Sequence, residues 1–494
     1  MIYNLHNKTP EQHIIKLNIC YMLAALKKGG KAMSTLEKDA KSRLSTRNII
    51  LVLATIIVYF IIISLPRPEE LSLEGLKAIA LMICALIFWI LDVLPIGVTA
   101  LLFTVLQPIA GTVNPGAMSA NFLPTTFFFS VAAFLIGQAL LETGLGNRVV
   151  YGLMKISGNK PKKLLFLLMC ATSLISFVIA NLALSALMVP LLLRIFEDND
   201  MKAGESRFAK ACLIGVPVAV SIGGCATPAG ALPNYQAIAL VQEVSGEVIT
   251  FGQWSLIGIP LAIILTPLAY LVIVSIFKPE VDTLNSKTVE ELRDLGPLTV
   301  KEWGFIIIFA ALIVSWFVTD IAMPVSAMIA CGLFFLPKLE ILNGQSFNKA
   351  INWNVLMLIC GSTGLAMAIF QTGAAAWIAN SVMAPFTTAA PIVMIGVIVA
   401  FTVFMHVLIP VNPSMVSVFV PIVALFAPTI GLPVATLILP LAYAVNCAFI
   451  LPLDAVFAVT YSSGHYSMGD LAKAGIPLSV IWVIIGTGIM LFVL

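Results

Sequence analysis

The sequence predicts an all-α polytopic membrane protein, on three observations. The 494 residues are 60% hydrophobic and 10% charged, with a mean hydropathy of +1.04. Soluble globular domains do not reach that balance. Apolar segments of about 18 residues or more recur along the chain, the length a helix needs to cross a hydrocarbon core. These segments are continuous rather than alternating, which excludes a β-barrel. The net charge of +3 points to no nucleic-acid partner. Eight cysteines are scattered with no CxxC or Cys/His spacing. They read as small buried apolar residues, with no metal site of their own.

The elements follow in order. Residues 1–47 are polar and lysine-rich and lack the apolar core of a signal peptide. They read as a cytoplasmic tail, in which either 13–26 form a short surface helix or the true start is Met33. The first span is 48–65, within a segment 48–72. Further spans lie at 73–91, 94–111 and 121–141. A basic stretch with Arg148, Lys155, Lys160, Lys162 and Lys163 comes next. An apolar stretch 164–196 is centred on Asn181. Another, 208–243, is interrupted by the run from Gly223 to Gly230, and 253–277 closes a first half of 73–278. The charged segment 279–301 is the one strong break in composition and reads as a cytoplasmic linker.

The second half, 302–494, repeats this order. Spans lie at 303–319, 322–337 and 350–372. The stretch 389–427 is centred on Asn412, 432–461 is interrupted at Pro452-Leu453-Asp454, and 474–493 ends the chain. Asn181 precedes Pro190 by the same distance as Asn412 precedes Pro421, and the two units are offset by 231 residues (181 to 412). Glu142-Thr143-Gly144 and Gln371-Thr372-Gly373 repeat at nearly the same offset. A polar amide in hydrocarbon is costly unless it is hydrogen-bonded. Two at matching places in two halves point to a site at a repeat interface, the plan of secondary transporters.

The stretch 164–196 would make a straight helix of about 50 Å, too long for a core of about 30 Å. Basic residues flank both ends (Lys162, Lys163; Arg194, Lys202, Arg207, Lys210). If basic loops stay inside, both ends are cytoplasmic and the stretch is a re-entrant hairpin with Asn181 at its tip. About eleven crossings result. Each half then has an odd number, so the halves are inverted, and the second hairpin, 389–427, enters from outside. Tryptophans 89, 254, 303 and 353 lie near span ends, as interface aromatics do. Asp92, Glu142, Asp320 and Asp470 read as interfacial or capping groups.

Broken helices expose backbone inside a membrane only where protein or a water-filled cavity surrounds it. Their amino termini suit an anion and their freed carbonyls suit sodium. Gly223, Gly224 and Gly230 let the backbone turn there, and Pro228 and Pro233 stop the helix from continuing. An intramembrane acid or imidazole is a functional candidate by its cost alone. Asp454 and His406 are therefore candidates for binding a coupling proton or cation. The plainer readings are a helix cap for Asp454 and a packing residue for His406.

From residue 48 onward the chain resembles the divalent anion:sodium symporter family, the dicarboxylate and citrate carriers. Residues 180–190 and 411–421 resemble its two hairpin tips, each a Ser-Asn-Thr triplet with a small-residue run to proline. Residues 221–227 resemble its Gly-Gly-x-Gly-Thr break, and Leu232-Pro233-Asn234 the Pro-Pro-Asn that ends it. Residues 446–452 resemble its second break, and 468–475 its approach to the last helix. The resemblance implies an elevator-type carrier with scaffold and transport domains, a homodimer in the plasma membrane, and no cofactor beyond coupling sodium ions. It implies that Asn181, Asn412 and Thr227 contact the anion, with Ser185 and Ser414 close by. Ser176, Asn181 and Gly223 would line one sodium site, and Asn412 belongs to the second.

Both triplets keep only their asparagine: Ala180 and Leu182 flank one, Val411 and Pro413 the other. The position matching Ser176 in the second half is Val407, which cannot ligate a cation through its side chain. The expected activity is sodium-coupled symport of a di- or tricarboxylate. Carboxylate exchange and a proton- or sodium-driven antiporter built on Asp454 and His406 are the alternatives. No nucleophile–base pair or metal-ligand cluster supports an enzyme.

Overall fold

The computed structural model describes residues 46–285, 296–382, 389–409 and 411–492. The tail 1–45, with Met33 and the 13–26 segment, lies outside the described residues. So do part of the linker, with Lys287 and Arg293, and Pro410. Helix α1 (Thr46–Ser64) belongs mostly to a unit of its own that ends at Ile61. Ile50, Ile57 and Phe60 of this helix are well exposed, as on a helix apolar all round and facing lipid.

Ile62–Leu494 form the second unit, and its helices come in two series of matching order. The first series is α2 (Leu73–Ile90), α3 (Ile96–Ala110), α4 (Pro115–Phe122), α5 (Thr125–Thr143), α6 (Leu145–Ser157), α7 (Pro161–Ser176), α8 (Asn181–Asp198), α9 (Arg207–Gly224), α10 (Leu232–Ser245) and α11 (Phe251–Ile276). The second is α12 (Val300–Val318), α13 (Met323–Leu333), α14 (Gly344–Ala350), α15 (Trp353–Gln371), α16 (Ala374–Val382), α17 (Pro391–Met405), α18 (Asn412–Phe426), α19 (Val434–Ala444), α20 (Ala455–Tyr461) and α21 (Met468–Ile489). Among the described residues there is no strand, and nine helices are long and apolar enough to cross a membrane. The Glu-Thr-Gly and Gln-Thr-Gly likeness marks the matched ends of α5 and α15. There Gly144 and Gly373 both take φ +76°, a left-handed helix end that favours glycine.

Several boundaries differ from the sequence expectation. The span expected at 322–337 is cut to the 11 residues of α13. Lys338 and Glu340 turn the chain there with positive φ (75° and 37°). The span expected at 121–141 is split into α4 and α5, with Pro124 as the N-cap of α5. Helix α21 starts six residues earlier than expected, because Ser467 and Asp470 form a reciprocal capping box. Trp254 is no interface aromatic. It is fully buried and donates to the carbonyl of Cys225 at 2.9 Å.

Helix α11 organises the helices around the breaks. It packs along α7, α9 and α21. Gly258 on α11 lies so close to the first break that an added Cβ would sit 2.5 Å from the carbonyl oxygen of Ala226. Tyr443 of α19 donates to the Trp254 carbonyl at 2.7 Å, and Ser173 of α7 meets Thr266 at 2.9 Å. At one end of α11, Glu247 accepts from the backbone N–H groups of Val434 (3.0 Å) and Ala435 (3.2 Å), the start of α19. Beyond its other end, Glu280 accepts from Phe208 N–H (2.9 Å) and from the Ser206 hydroxyl, at the start of α9. A carboxylate satisfies the orphan donors and the positive end of each helix. Helices α9 and α19 therefore start from opposite ends of α11.

Helices α7 and α8 are joined by four residues, 177–180. Leu284 N–H donates to Asn159 O, just before α7, at 2.9 Å. Its neighbour Asn285 donates its N–H to Asn199 Oδ1, just after α8, at 2.7 Å. Adjacent linker residues thus touch both ends of the pair, which turns back on itself as a helical hairpin.

Candidate functional site

Asn181 and Asn412 are each the first residue of a helix, with Pro190 and Pro421 inside it. Both line one cavity of about 740 Å³, within the range of about 300–1,000 Å³ usual for small-molecule sites. The first residues of six helices reach its wall: Ile96, Asn181, Leu232, Trp353, Asn412 and Ala455. Four of these starts, on α3, α8, α10 and α18, have no side-chain cap. Their dipole ends, about half a positive charge each, remain for a ligand. Pro233 and Pro413 carry no N–H, and Asn234 and Ser414 donate theirs to Ala231 O and Val411 O. Helices α10 and α18 therefore offer only the N–H of their first residues, Leu232 and Asn412. The ionisable side chains on the wall are Lys349 and Asp454.

In the first half, the hairpin connector is clamped to the break 225–231. Ser176, fully buried, donates to Val220 O at 2.8 Å and lies 2.7 Å from the Asn181 amide. The amide end facing inward meets the carbonyls of Gly230 (3.0 Å) and Val220 (3.2 Å). Facing acceptors alone, that end is the nitrogen, and it donates to them. Gly224 makes room for this, since an added Cβ would sit 2.1 Å from the Asn181 side chain. Thr227 donates to the carbonyl of Phe177 in the connector. Its hydroxyl is a tie between tip and break, and Thr227 is not on the cavity wall. Gly223 packs by its bare Cα against Ser173, and its carbonyl accepts from Ala226 N–H at 3.0 Å. The carbonyls that converge on Asn181 are those of Val220 and Gly230. Asn234 holds two more carbonyls of the break, Gly224 (2.7 Å) and Thr227 (2.8 Å).

In the second half, Asn412 Oδ1 and Ser414 Oγ are buried without a hydrogen-bond partner, as is Ser185 Oγ in the first. Asp454 caps α20, its Oδ1 accepting from Val456 N–H at 2.9 Å, and it also lines the wide cavity. His406 ends α17, and its Nε2 lies 2.7 Å from Val445 O in the second break. The breaks of the two halves are joined, because Asn446 donates its amide to Asn234 Oδ1 at 3.0 Å.

A family profile described as the sodium:sulfate symporter transmembrane region matches residues 46–493. The chain belongs to the sodium:sulfate symporter family. It is a membrane transporter, and the divalent anion:sodium symporter motifs in its sequence are those of this family. Among curated relatives, the sodium-dependent dicarboxylate transporter SdcS of Staphylococcus saprophyticus is 26% identical, over 87% of this chain and 88% of that protein. The protein of the same name from Staphylococcus aureus is 24% identical, over 85% and 86%. The crystal structure of the Alcanivorax borkumensis YdaH transporter, described as having an unusual topology, superposes with a TM-score of 0.55. That match covers 78% of this chain and 88% of the other at 14% identity, and it supports the fold.

Within this symporter fold, several wall residues went unnoticed in the sequence. Gln138 lines the cavity from α5, Lys349 from α14, and Asn352 and Asn354 from the start of α15. The polar cluster Asn352-Trp353-Asn354 ahead of an apolar run was the available signal. Gln236 is fully buried, and its amide nitrogen meets Thr363 Oγ1 (3.1 Å), Ser417 Oγ (2.9 Å) and Pro413 O (3.3 Å). Within the run 232–245 nothing set it apart.

Proposed function

We propose that the protein carries small dicarboxylates across the plasma membrane together with sodium. The observation that carries this reading is the meeting of four uncapped helix amino termini on one cavity of about 740 Å³. Such ends bind anions through oriented N–H groups. A linear dianion engages two separated groups of donors, here the tip at Asn181 with α10 on one side and the tip at Asn412 on the other. Lys349 adds a compensating charge. The names of the staphylococcal relatives agree with this substrate class.

For sodium, the supporting feature is the oxygen cluster at the first tip: Ser176 Oγ, Val220 O, Gly230 O and the Asn181 amide. A hard cation takes oxygen ligands. Turning the amide by half a rotation aims Oδ1 into the cluster, so sodium binding and amide orientation would be linked. The hairpins read as re-entrant and the halves as inverted, with the tail cytoplasmic. The hairpins, the broken helices, α11 and α21 form a transport domain. Helices α2–α5 and α12–α15 form the scaffold, and the family plan adds a homodimer and an elevator motion.

The test is thermal unfolding of the purified protein with succinate, malate, citrate or sulfate, each with and without sodium. A ligand at 100 times its Kd stabilises by about 2.7 kcal/mol. Succinate and malate should raise the unfolding temperature, and more so with sodium. No shift with any anion, but one with sodium or pH alone, would point to an antiporter instead.

A further inference from the structure

A second, much smaller cavity shares Leu453 and Asp454 with the wide one. Its volume is about 10 Å³, room for about one water molecule, and its lining includes His406, Cys447, Leu451 and Asp454. Asp454 lies on the walls of both cavities. His406 is 6% exposed and Asp454 8% exposed. The partner of His406 Nε2 is a carbonyl oxygen, that of Val445, so Nε2 must carry the hydrogen. In the neutral ring Nδ1 is then a bare lone pair, and it is buried with no protein partner. Cys447 is turned toward Ser479, 3.8 Å away. The acidic group that shares the small cavity with Nδ1 is the carboxyl of Asp454.

We propose that Asp454 and His406 form a proton-binding site, filled from the wide cavity, whose occupancy is coupled to anion binding. The proton comes from bulk water and enters by way of Asp454, the ionisable residue that lines both spaces. It is held between that carboxyl and His406 Nδ1, through one water. With the proton absent, a carboxylate charge stands on the wall where the anion sits and opposes it. With the proton bound, the wall at this point is neutral. Linkage is reciprocal, so protonation tightens anion binding and anion binding takes up a proton.

Apart from Cys447, the other titratable groups of the adjoining elements do not line the small cavity. His465, just after α20, has its Nδ1 3.0 Å from Ser463 O, and Tyr443 of α19 donates to Trp254 O. Helices α17, α18, α19 and α20 contain no Asp, Glu, Lys or Arg. Helices α8, α9 and α21 carry theirs toward one end, at Arg194, Glu197 and Asp198, at Arg207 and Lys210, and at Asp470 and Lys473. Lys210 and Asp470 are paired with each other at 3.0 Å. Lys349 belongs to the wide cavity.

The inference rests on the dicarboxylate reading, and one experiment separates the two. Purified protein in weakly buffered solution with saturating sodium, at slightly alkaline pH where succinate is fully ionised, is titrated with succinate. Binding is followed by calorimetry and proton exchange by a pH indicator. The wild type should take up about one proton per succinate bound. Asp454→Asn keeps a side chain able to cap α20; it should bind succinate with no proton uptake. His406→Gln keeps an amide donor for Val445 O but removes the ring; it should bind with uptake reduced at least threefold. Succinate binding by the wild type without proton uptake overturns the proton site and leaves the dicarboxylate reading standing. Uptake unchanged in both variants also overturns the site. Absence of succinate binding overturns both.

Discussion

Asn181 spends its amide on the fold as much as on any ligand. Its nitrogen holds one carbonyl of α9, Val220, and one of the break, Gly230, and Gly224 is bare so that it can do so. Gly224→Ala should displace the amide and abolish sodium-dependent uptake in proteoliposomes while the helical circular dichroism stays intact. Uptake at wild-type sodium affinity would remove Asn181 from the cation site. Thr227→Val keeps the shape and deletes the hydroxyl that reaches Phe177 O. Leaving that buried carbonyl unpaired costs about 1–3 kcal/mol. Sodium and anion affinities should both fall roughly tenfold, with Thr227→Ser close to wild type in uptake assays. At this scale the asparagines were readable in the sequence, because a polar amide in an apolar run is conspicuous. The direction of the Asn181 amide was not, because it depends on carbonyls 39 and 49 residues away (Val220 and Gly230). Nor was the close packing of the Gly223 Cα against Ser173.

The helix breaks were legible for a related reason. Proline and glycine interrupt 208–243, and proline with aspartate interrupts 432–461, so both breaks could be placed. What holds them was not legible. Glu247 and Glu280 look like ordinary loop charges until the structure sets each on the start of a broken helix. Trp254 near a span end looked like an interface aromatic, yet it supports the first break. Trp254→Phe removes the donor to Cys225 O and should lower stability by about 1–3 kcal/mol, measured as a lower unfolding temperature in detergent. Glu280→Gln weakens the charged cap of α9 and should cost about 1 kcal/mol. An equal loss in sodium-free and sodium-bound protein would mean that neither residue bears on the cation site.

For the whole molecule, a duplicated order of elements was readable from the offset of the asparagines and of the Thr-Gly pairs. The packing between series was not. Gln236 of α10 meets Thr363 of α15 at 3.1 Å, a contact between the helices assigned to the moving and the fixed parts. If those parts slide, cysteines at 236 and 363 linked by mercury, with the native cysteines replaced, should stop uptake, and a thiol reductant should restore it. Full activity in fully cross-linked protein would rule out sliding at this contact.

The grip of α11 on both broken helices has a consequence for hydrogen exchange. Its 26 residues span about 39 Å, and each end anchors the start of a different broken helix. Neither broken helix can fray at its start without releasing its carboxylate at α11. Amide deuteration should therefore report the two as one cooperative unit. Sodium added at the first tip should slow exchange at the start of α19, in the other half of the chain, as well as in the break it touches.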